Sequence, residues 1–212
     1  MTTRKRALIV VDLQQEYFGG LLEIQYPPHA DSLPRITQAI DAATAAGIPV
    51  VAVQHTMGDA APVFNPTQPG YLLHPEVEAR RTDAWKSVVK RFSSVFAGTD
   101  VADWLRENDI GTVTLVGYMT NNCILASAVE AESHGFTAEV LSDATGAVHL
   151  ANEAGFTDAK TVHTSLMALF NSNLAAVTDT ATWSAAVASG DRLPAPDLGA
   201  SAAAGARHAG QG

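Results

Sequence analysis

The stretch Ala7-Leu8-Ile9-Val10-Val11-Asp12 decides the fold of this chain. Its first five residues are apolar without a break, and Ile9, Val10 and Val11 are β-branched. An unbroken apolar run of this length is typical of a strand that is buried on both faces, as in a parallel sheet. The stretch therefore predicts a buried parallel strand that ends at a carboxylate.

Similar apolar runs recur along the chain, and segments of helical periodicity separate them. We predict strands over 7–11, 48–53, 85–89, 112–116, 137–141 and 174–177, and helices around 33–43, 101–105, 121–133, 158–170 and 180–188. Residues 54–80 make a connection too long for an ordinary loop, so we expect it to be functional or partly helical. The alternation predicts an α/β fold: a six-stranded, mostly parallel sheet with helices on both faces.

The length of the chain fits one domain, since 212 residues lie within the common range for single domains. We predict this domain over residues 1–192. From residue 193 the composition shifts to Pro, Ala and Gly, which leaves little to bury. Residues 193–212 are therefore predicted to be disordered.

The composition excludes several classes of protein. With a single cysteine the chain cannot form an internal disulfide or a metal site of clustered thiolates. Its 13 Lys and Arg against 22 Asp and Glu give a net charge of −9, so we expect no nucleic-acid partner. No apolar run is long enough for a signal peptide or a membrane span, so we expect a cytoplasmic protein without a membrane partner.

Three polar side chains follow predicted strands, at the edge where open α/β sheets bind ligands. Asp12 follows the first strand, and Lys90 lies at the end of the third, with Lys86 and Arg91 as nearby alternatives. Cys123 lies beyond the fourth strand, in the first turn of the next helix. A helix N-terminus favours the thiolate, so the position predicts a lowered pKa and a reactive thiol. A carboxylate, an ammonium and a thiol together indicate a nucleophilic site.

The segments around these residues resemble the isochorismatase-like cysteine hydrolases, which include nicotinamidases and N-carbamoylsarcosine amidases. The resemblance covers roughly residues 7–177. Four segments carry it: Ala7-Leu8-Ile9-Val10-Val11-Asp12-Leu13-Gln14, Lys90-Arg91-Phe92-Ser93-Ser94-Val95-Phe96-Ala97-Gly98-Thr99, Gly117-Tyr118-Met119-Thr120-Asn121-Asn122-Cys123 and Leu141-Ser142-Asp143-Ala144.

The resemblance implies a catalytic triad of Asp12, Lys90 and Cys123, and its spacing selects Lys90 over Lys86. It also implies a cis peptide between Tyr118 and Met119, and an oxyanion hole formed by the amides of Met119 and Cys123. The implied activity is hydrolysis of a C–N bond, other than a peptide bond, in a small-molecule amide, lactam or ureido compound. A homodimer or homotetramer is implied as well.

Departures from the family pattern narrow these expectations. The Asp-x-His of nicotinamidases is absent after the second strand, where Gln54-His55-Thr56 stands. His55, Asp59 and His74 are better interpreted as loop or structural residues, so no metal and no cofactor is expected. Isochorismatases that cleave a vinyl ether commonly lack the cysteine, so Cys123 favours C–N hydrolysis.

Residues that line the pocket can be nominated from their distance along the sequence to the triad and from the positions that they match in the family. The nominated substrate-binding residues are Gln14, Tyr17, Phe64, Tyr71, Tyr118 and Asn122. Whether His149 reaches the site is open, as it is for His55 and His74. Two other functions are compatible with the sequence: the same triad acting on an ester or carbamate, and a non-catalytic binding protein on this fold.

Overall fold

A computed structural model describes residues 5–210 of the chain. Six strands form one sheet in the order β3-β2-β1-β4-β5-β8, and every neighbouring pair is parallel. Their bounds are β1 Lys5–Val11, β2 Val50–His55, β3 Lys86–Lys90, β4 Ile110–Tyr118, β5 Thr137–Gly146 and β8 Ala176–Thr178. The predicted six-stranded parallel sheet is confirmed.

Helices connect the strands. They are α1 His29–Ala45, α2 Pro75–Glu78, α3 Val101–Glu107, α4 Leu125–Ser133, α5 Ala159–Leu169, α6 Thr180–Ser189 and α7 Leu198–Ala209. Two short strands, β6 Leu150–Asn152 and β7 Gly155–Thr157, form a separate antiparallel hairpin that the sequence did not predict.

β1 lies in the middle of the sheet and divides the hydrophobic core in two. Ala7, Ile9 and Val11 pack on one side with residues of α3 and α4, whereas Leu8 and Val10 pack on the other side with residues of α1 and α6. All five side chains are fully buried. The unbroken apolar run is therefore explained by helices on both faces of the sheet.

The element boundaries differ from the predictions in small ways. β3 begins at Lys86 and ends at Lys90 itself, one residue later than predicted. The last strand is shorter than predicted because Phe170–Leu174 continues α5 as a π-helical turn. The long connection is partly helical, as expected, with a 3-10 turn at Pro69–Tyr71 followed by α2.

The tail differs more. The sequence predicts disorder over 193–212, whereas α7 covers Leu198–Ala209 within that range, and Gln211 and Gly212 lie outside the described residues. Asp197 caps α7 by accepting a hydrogen bond from the amide of Ala200 at 2.9 Å. Alanine has the highest helix propensity, so a run that is poor in core residues can still form a helix. Every residue of α7 is exposed.

Candidate active site

Three chain segments, at the ends of β1, β3 and β4, bring the predicted triad to the carboxyl edge of the sheet. Asp12 directly follows β1 and has a left-handed backbone conformation, with φ of 47°. Lys90 is the last residue of β3. Cys123 lies in the π-helical turn Thr120–Ile124, which leads into α4.

The ammonium of Lys90 joins the other two side chains. Its Nζ lies 2.7 Å from Oδ2 of Asp12 and 3.2 Å from Sγ of Cys123. Asp12 and Lys90 are almost completely buried, and Cys123 is 2% exposed. A buried carboxylate and a buried ammonium are stable only as a pair, so each fixes the charge of the other.

The close approach of β4 to β1 depends on Gly117. This residue pairs with Val11 and has φ of +104°. A Cβ at this position would clash with the carbonyl oxygen of Val11. Glycine therefore lets the backbone that leads to Cys123 pass directly beside the backbone that leads to Asp12. The peptide between Tyr118 and Met119 is cis, as predicted.

The electrostatics of the thiol differ from the prediction. Burial raises the pKa of Cys123 above its ordinary value, and the charge of Asp12 raises it further, while Lys90 opposes both effects. Burial also raises the pKa of Asp12, against the ammonium of Lys90. The expectation of a lowered thiol pKa at the helix N-terminus is wrong for the free protein, because loss of water and the charge of Asp12 outweigh the attraction of Lys90.

We expect the resting protein to hold Cys123 as a thiol at neutral pH. Its alkylation by iodoacetamide at pH 7 should be slower than that of a free cysteine, and the rate should still be rising above pH 9. Because the chain has one cysteine, mass spectrometry of the intact protein measures this site alone. A rate that reaches its plateau below pH 8 would contradict the raised pKa.

Tyr17 and Phe64 lie beside the triad. Tyr17 is 1% exposed, and its ring centroid lies 5.4 Å from that of Phe64. Burial raises the pKa of Tyr17, and the charges of Cys123 and Asp12 raise it further, so the phenol lies within electrostatic reach of both.

The other four nominated wall residues differ in their surroundings. Tyr118 is fully buried, and its hydroxyl forms a hydrogen bond of 2.7 Å with Ser32 of α1, so it braces the sheet against that helix. Gln14 is also buried and bonds to backbone groups. Tyr71 and Asn122 are partly exposed.

The scattered histidines have different positions. His74 caps α2 by accepting the amide hydrogen of Glu76, and His149 accepts that of Ala159 at the start of α5. His55 lies at the end of β2, with Nδ1 only 3.2 Å from Nζ of Lys90. The sequence left open whether His55 reaches the site, although the rule that selected Asp12 also selects His55, since both lie where a strand ends.

Within the described part of the chain, no three His, Cys, Asp or Glu side chains converge so as to hold a metal ion. No helix among residues 5–210 combines the length and the apolar character needed to cross a bilayer.

Comparisons with known proteins agree with this fold. Residues 6–182 match the family model described as the isochorismatase domain. A crystal structure of an isochorismatase-type protein from Burkholderia xenovorans LB400 is 44% identical, with a TM-score of 0.93, and covers 98% of this chain and 100% of that one. The isochorismatase family protein YddQ of Bacillus subtilis, itself uncharacterised, is 31% identical over 85% of this chain and 97% of its own length. A maleamate amidohydrolase of Pseudomonas putida is 37% identical over 42% of each chain.

The protein has the three-layer α/β architecture of the isochorismatase-like hydrolases. A carboxylate, an ammonium and a thiol lie at the carboxyl edge of its parallel sheet. Because the family model matches most of the chain, the chain belongs to the isochorismatase family.

Proposed function

We propose that this hydrolase cleaves a C–N bond, other than a peptide bond, in a small amide, lactam or ureido compound. The observation that carries the proposal is the position of the Lys90 ammonium, 2.7 Å from Asp12 and 3.2 Å from Cys123. This arrangement gives the thiol both a base and a counter-charge. The similarity to a maleamate amidohydrolase supports a C–N bond, although it spans less than half of either chain.

The reaction begins with a proton transfer. Asp12 takes the proton of the Cys123 thiol as the sulfur attacks the carbonyl carbon, and the Lys90 ammonium stabilises the developing thiolate. In the resting site the sulfur is a neutral thiol. The nucleophilic thiolate therefore forms only as the bond to carbon forms. The amides of Met119 and Cys123 stabilise the tetrahedral oxyanion.

Collapse of this intermediate breaks the C–N bond. The protonated Asp12 gives its proton to the leaving nitrogen and a thioester remains on Cys123. The nitrogen departs as ammonia or an amine, or, in a lactam, stays on the opened chain as an amino group. Asp12 then takes a proton from water as its oxygen attacks the thioester. The protonated Asp12 returns this proton to the sulfur as the carboxylic or carbamic acid leaves, and the site returns to its starting state.

The test is a screen of primary amides, lactams, ureido compounds, esters and carbamates against the native protein and Cys123→Ala. We expect only the native protein to release ammonia or an amine from an amide or ureido compound, or to open a lactam to its amino acid. Hydrolysis confined to esters or carbamates would replace the proposal by its first alternative. Activity that is equal in both proteins would show that the reaction does not use Cys123.

A further inference from the structure

We propose that His55 is a positioning residue of this site: its Nδ1 accepts a hydrogen bond from Lys90 and fixes the ammonium between Asp12 and Cys123. The inference rests on the proposed function, because it assigns a role in the same site. His55 and Lys90 are paired in register on the neighbouring strands β2 and β3, at the carboxyl end of both. Their side chains therefore emerge next to each other at the catalytic edge.

Four acceptors lie within hydrogen-bond distance of the Lys90 ammonium, which has three N–H donors. Two of them, at 2.7 Å to Asp12 and 3.2 Å to Cys123, belong to the triad. The other two, both at 3.2 Å, are Nδ1 of His55 and the carbonyl oxygen of Phe92. Lysine enters the site on a flexible stem, and the two acceptors outside the triad limit the positions that its ammonium can take.

The protonation state of His55 fits this role. An imidazole nitrogen 3.2 Å from an ammonium must accept, so Nδ1 carries the lone pair and Nε2 carries the proton. Burial first, and the charge of Lys90 second, lower the pKa of His55 to about 4. The ring is therefore neutral at physiological pH and adds no repulsion to the Lys90 ammonium.

His55 is itself held in place by Gln14. The side-chain amide of Gln14 donates to the carbonyl oxygen of His55 at 3.0 Å, and its oxygen accepts from the amide of His55 at 2.8 Å. The same amide nitrogen donates to the carbonyl oxygen of Tyr71 at 2.8 Å. Gln14 is buried and lies two residues after Asp12, so it ties the backbone of His55 to the segment that carries the base.

Two substitutions separate the acceptor from the ring. His55→Phe keeps an aromatic ring for the edge contact with Phe64, whose centroid lies 5.0 Å away, but has no acceptor. His55→Asn loses the ring but can place its carbonyl oxygen near the position of Nδ1. We expect thiol alkylation at pH 9 to fall about tenfold or more in His55→Phe, and to stay within about threefold of the native rate in His55→Asn, since a hydrogen bond to a charged group has roughly that worth.

The outcomes decide the proposal without a known substrate. Native-like alkylation in His55→Phe, or equal losses in both variants, would overturn it. Thermal unfolding of each variant shows whether a loss comes from misfolding, and if His55→Phe does not fold, spectra of the native protein decide. In long-range proton–nitrogen spectra of histidine-labelled protein, the signals of His55 are those that disappear in His55→Asn. They should show the Nε2–H tautomer and should not titrate from pH 8 to 5. A proton on Nδ1, or titration near pH 6.5, would overturn the proposal even if Cys123 proves essential for turnover.

Discussion

Cys123→Ala is expected to abolish turnover of whatever substrate the screen identifies, with a loss of kcat of about a thousandfold or more. Removal of the sulfur removes the atom that forms the bond to carbon, and neither Asp12 nor Lys90 can replace it. The measurement is a steady-state rate of ammonia or amine release. A rate within tenfold of the native one would contradict covalent catalysis by this residue.

Cys123→Ser is the matched variant for this test. It keeps nearly the same volume and a polar atom near Lys90 and Asp12, so the charges of the buried pair stay balanced. We expect a comparably large loss of kcat, because a hydroxyl is a far weaker nucleophile than a thiol, together with an unfolding temperature within a few degrees of the native value. Mass spectrometry of the native protein quenched during turnover should show an acyl group that the serine variant lacks.

Gly117→Ala is expected to have the largest effect on stability, a loss of about 3 kcal/mol or more. The added Cβ meets backbone atoms of Val11 rather than a side chain that can move, and the backbone has a left-handed φ. Since Val11 precedes Asp12, relief of the clash would separate the two segments that carry the base and the nucleophile. We therefore expect reduced activity in the fraction of the protein that stays folded, as well as a lower unfolding temperature.

Gly190→Ala is the control for the backbone effect alone. Gly190 ends α6 with φ of +77°, and an added Cβ would have no atom within 4 Å. Its cost should be about 1 kcal/mol, with unchanged activity. Thermal or denaturant unfolding of both variants measures the difference, and equal losses would show that the contact with Val11 contributes nothing.

The positions of Asp12 and Cys123 were within reach of sequence reasoning because both residues follow strands, whereas the choice of Lys90 over Lys86 needed the family resemblance. An unbroken apolar run followed by a charged residue places Asp12 at the sheet edge, whatever the details of packing. His55 satisfies the same rule at the end of β2, but as a potential metal ligand without partners it was interpreted as a loop residue. Considering the strand ends together, rather than one motif at a time, would have placed it beside Lys90.

Side-chain direction was out of reach. Tyr118 lies in a segment that the resemblance placed at the pocket, and the sequence did not indicate that its hydroxyl bonds to Ser32 of α1. Gln14 has the chemistry of a ligand-binding residue, but its amide bonds to the backbone of His55 and Tyr71. These directions follow from turns such as that at Asp12, with its positive φ, and apolar periodicity does not encode them.

The strands that carry the site differ in how many neighbours support them, because β3 lies at the edge of the sheet. Among the described residues β3 pairs with β2 alone, whereas β1 and β4 each have a strand on either side. β2 lies between the strands of Lys90 and Asp12 and separates them by about 10 Å, so the Lys90 side chain must reach past β2. Asp12 and Cys123 thus follow strands in the interior of the sheet, and Lys90 lies on its margin, where local opening is expected to cost least. The ion pair with Asp12 links that margin to the centre of the sheet, so we expect opening of β3 to remove the positive charge beside Cys123.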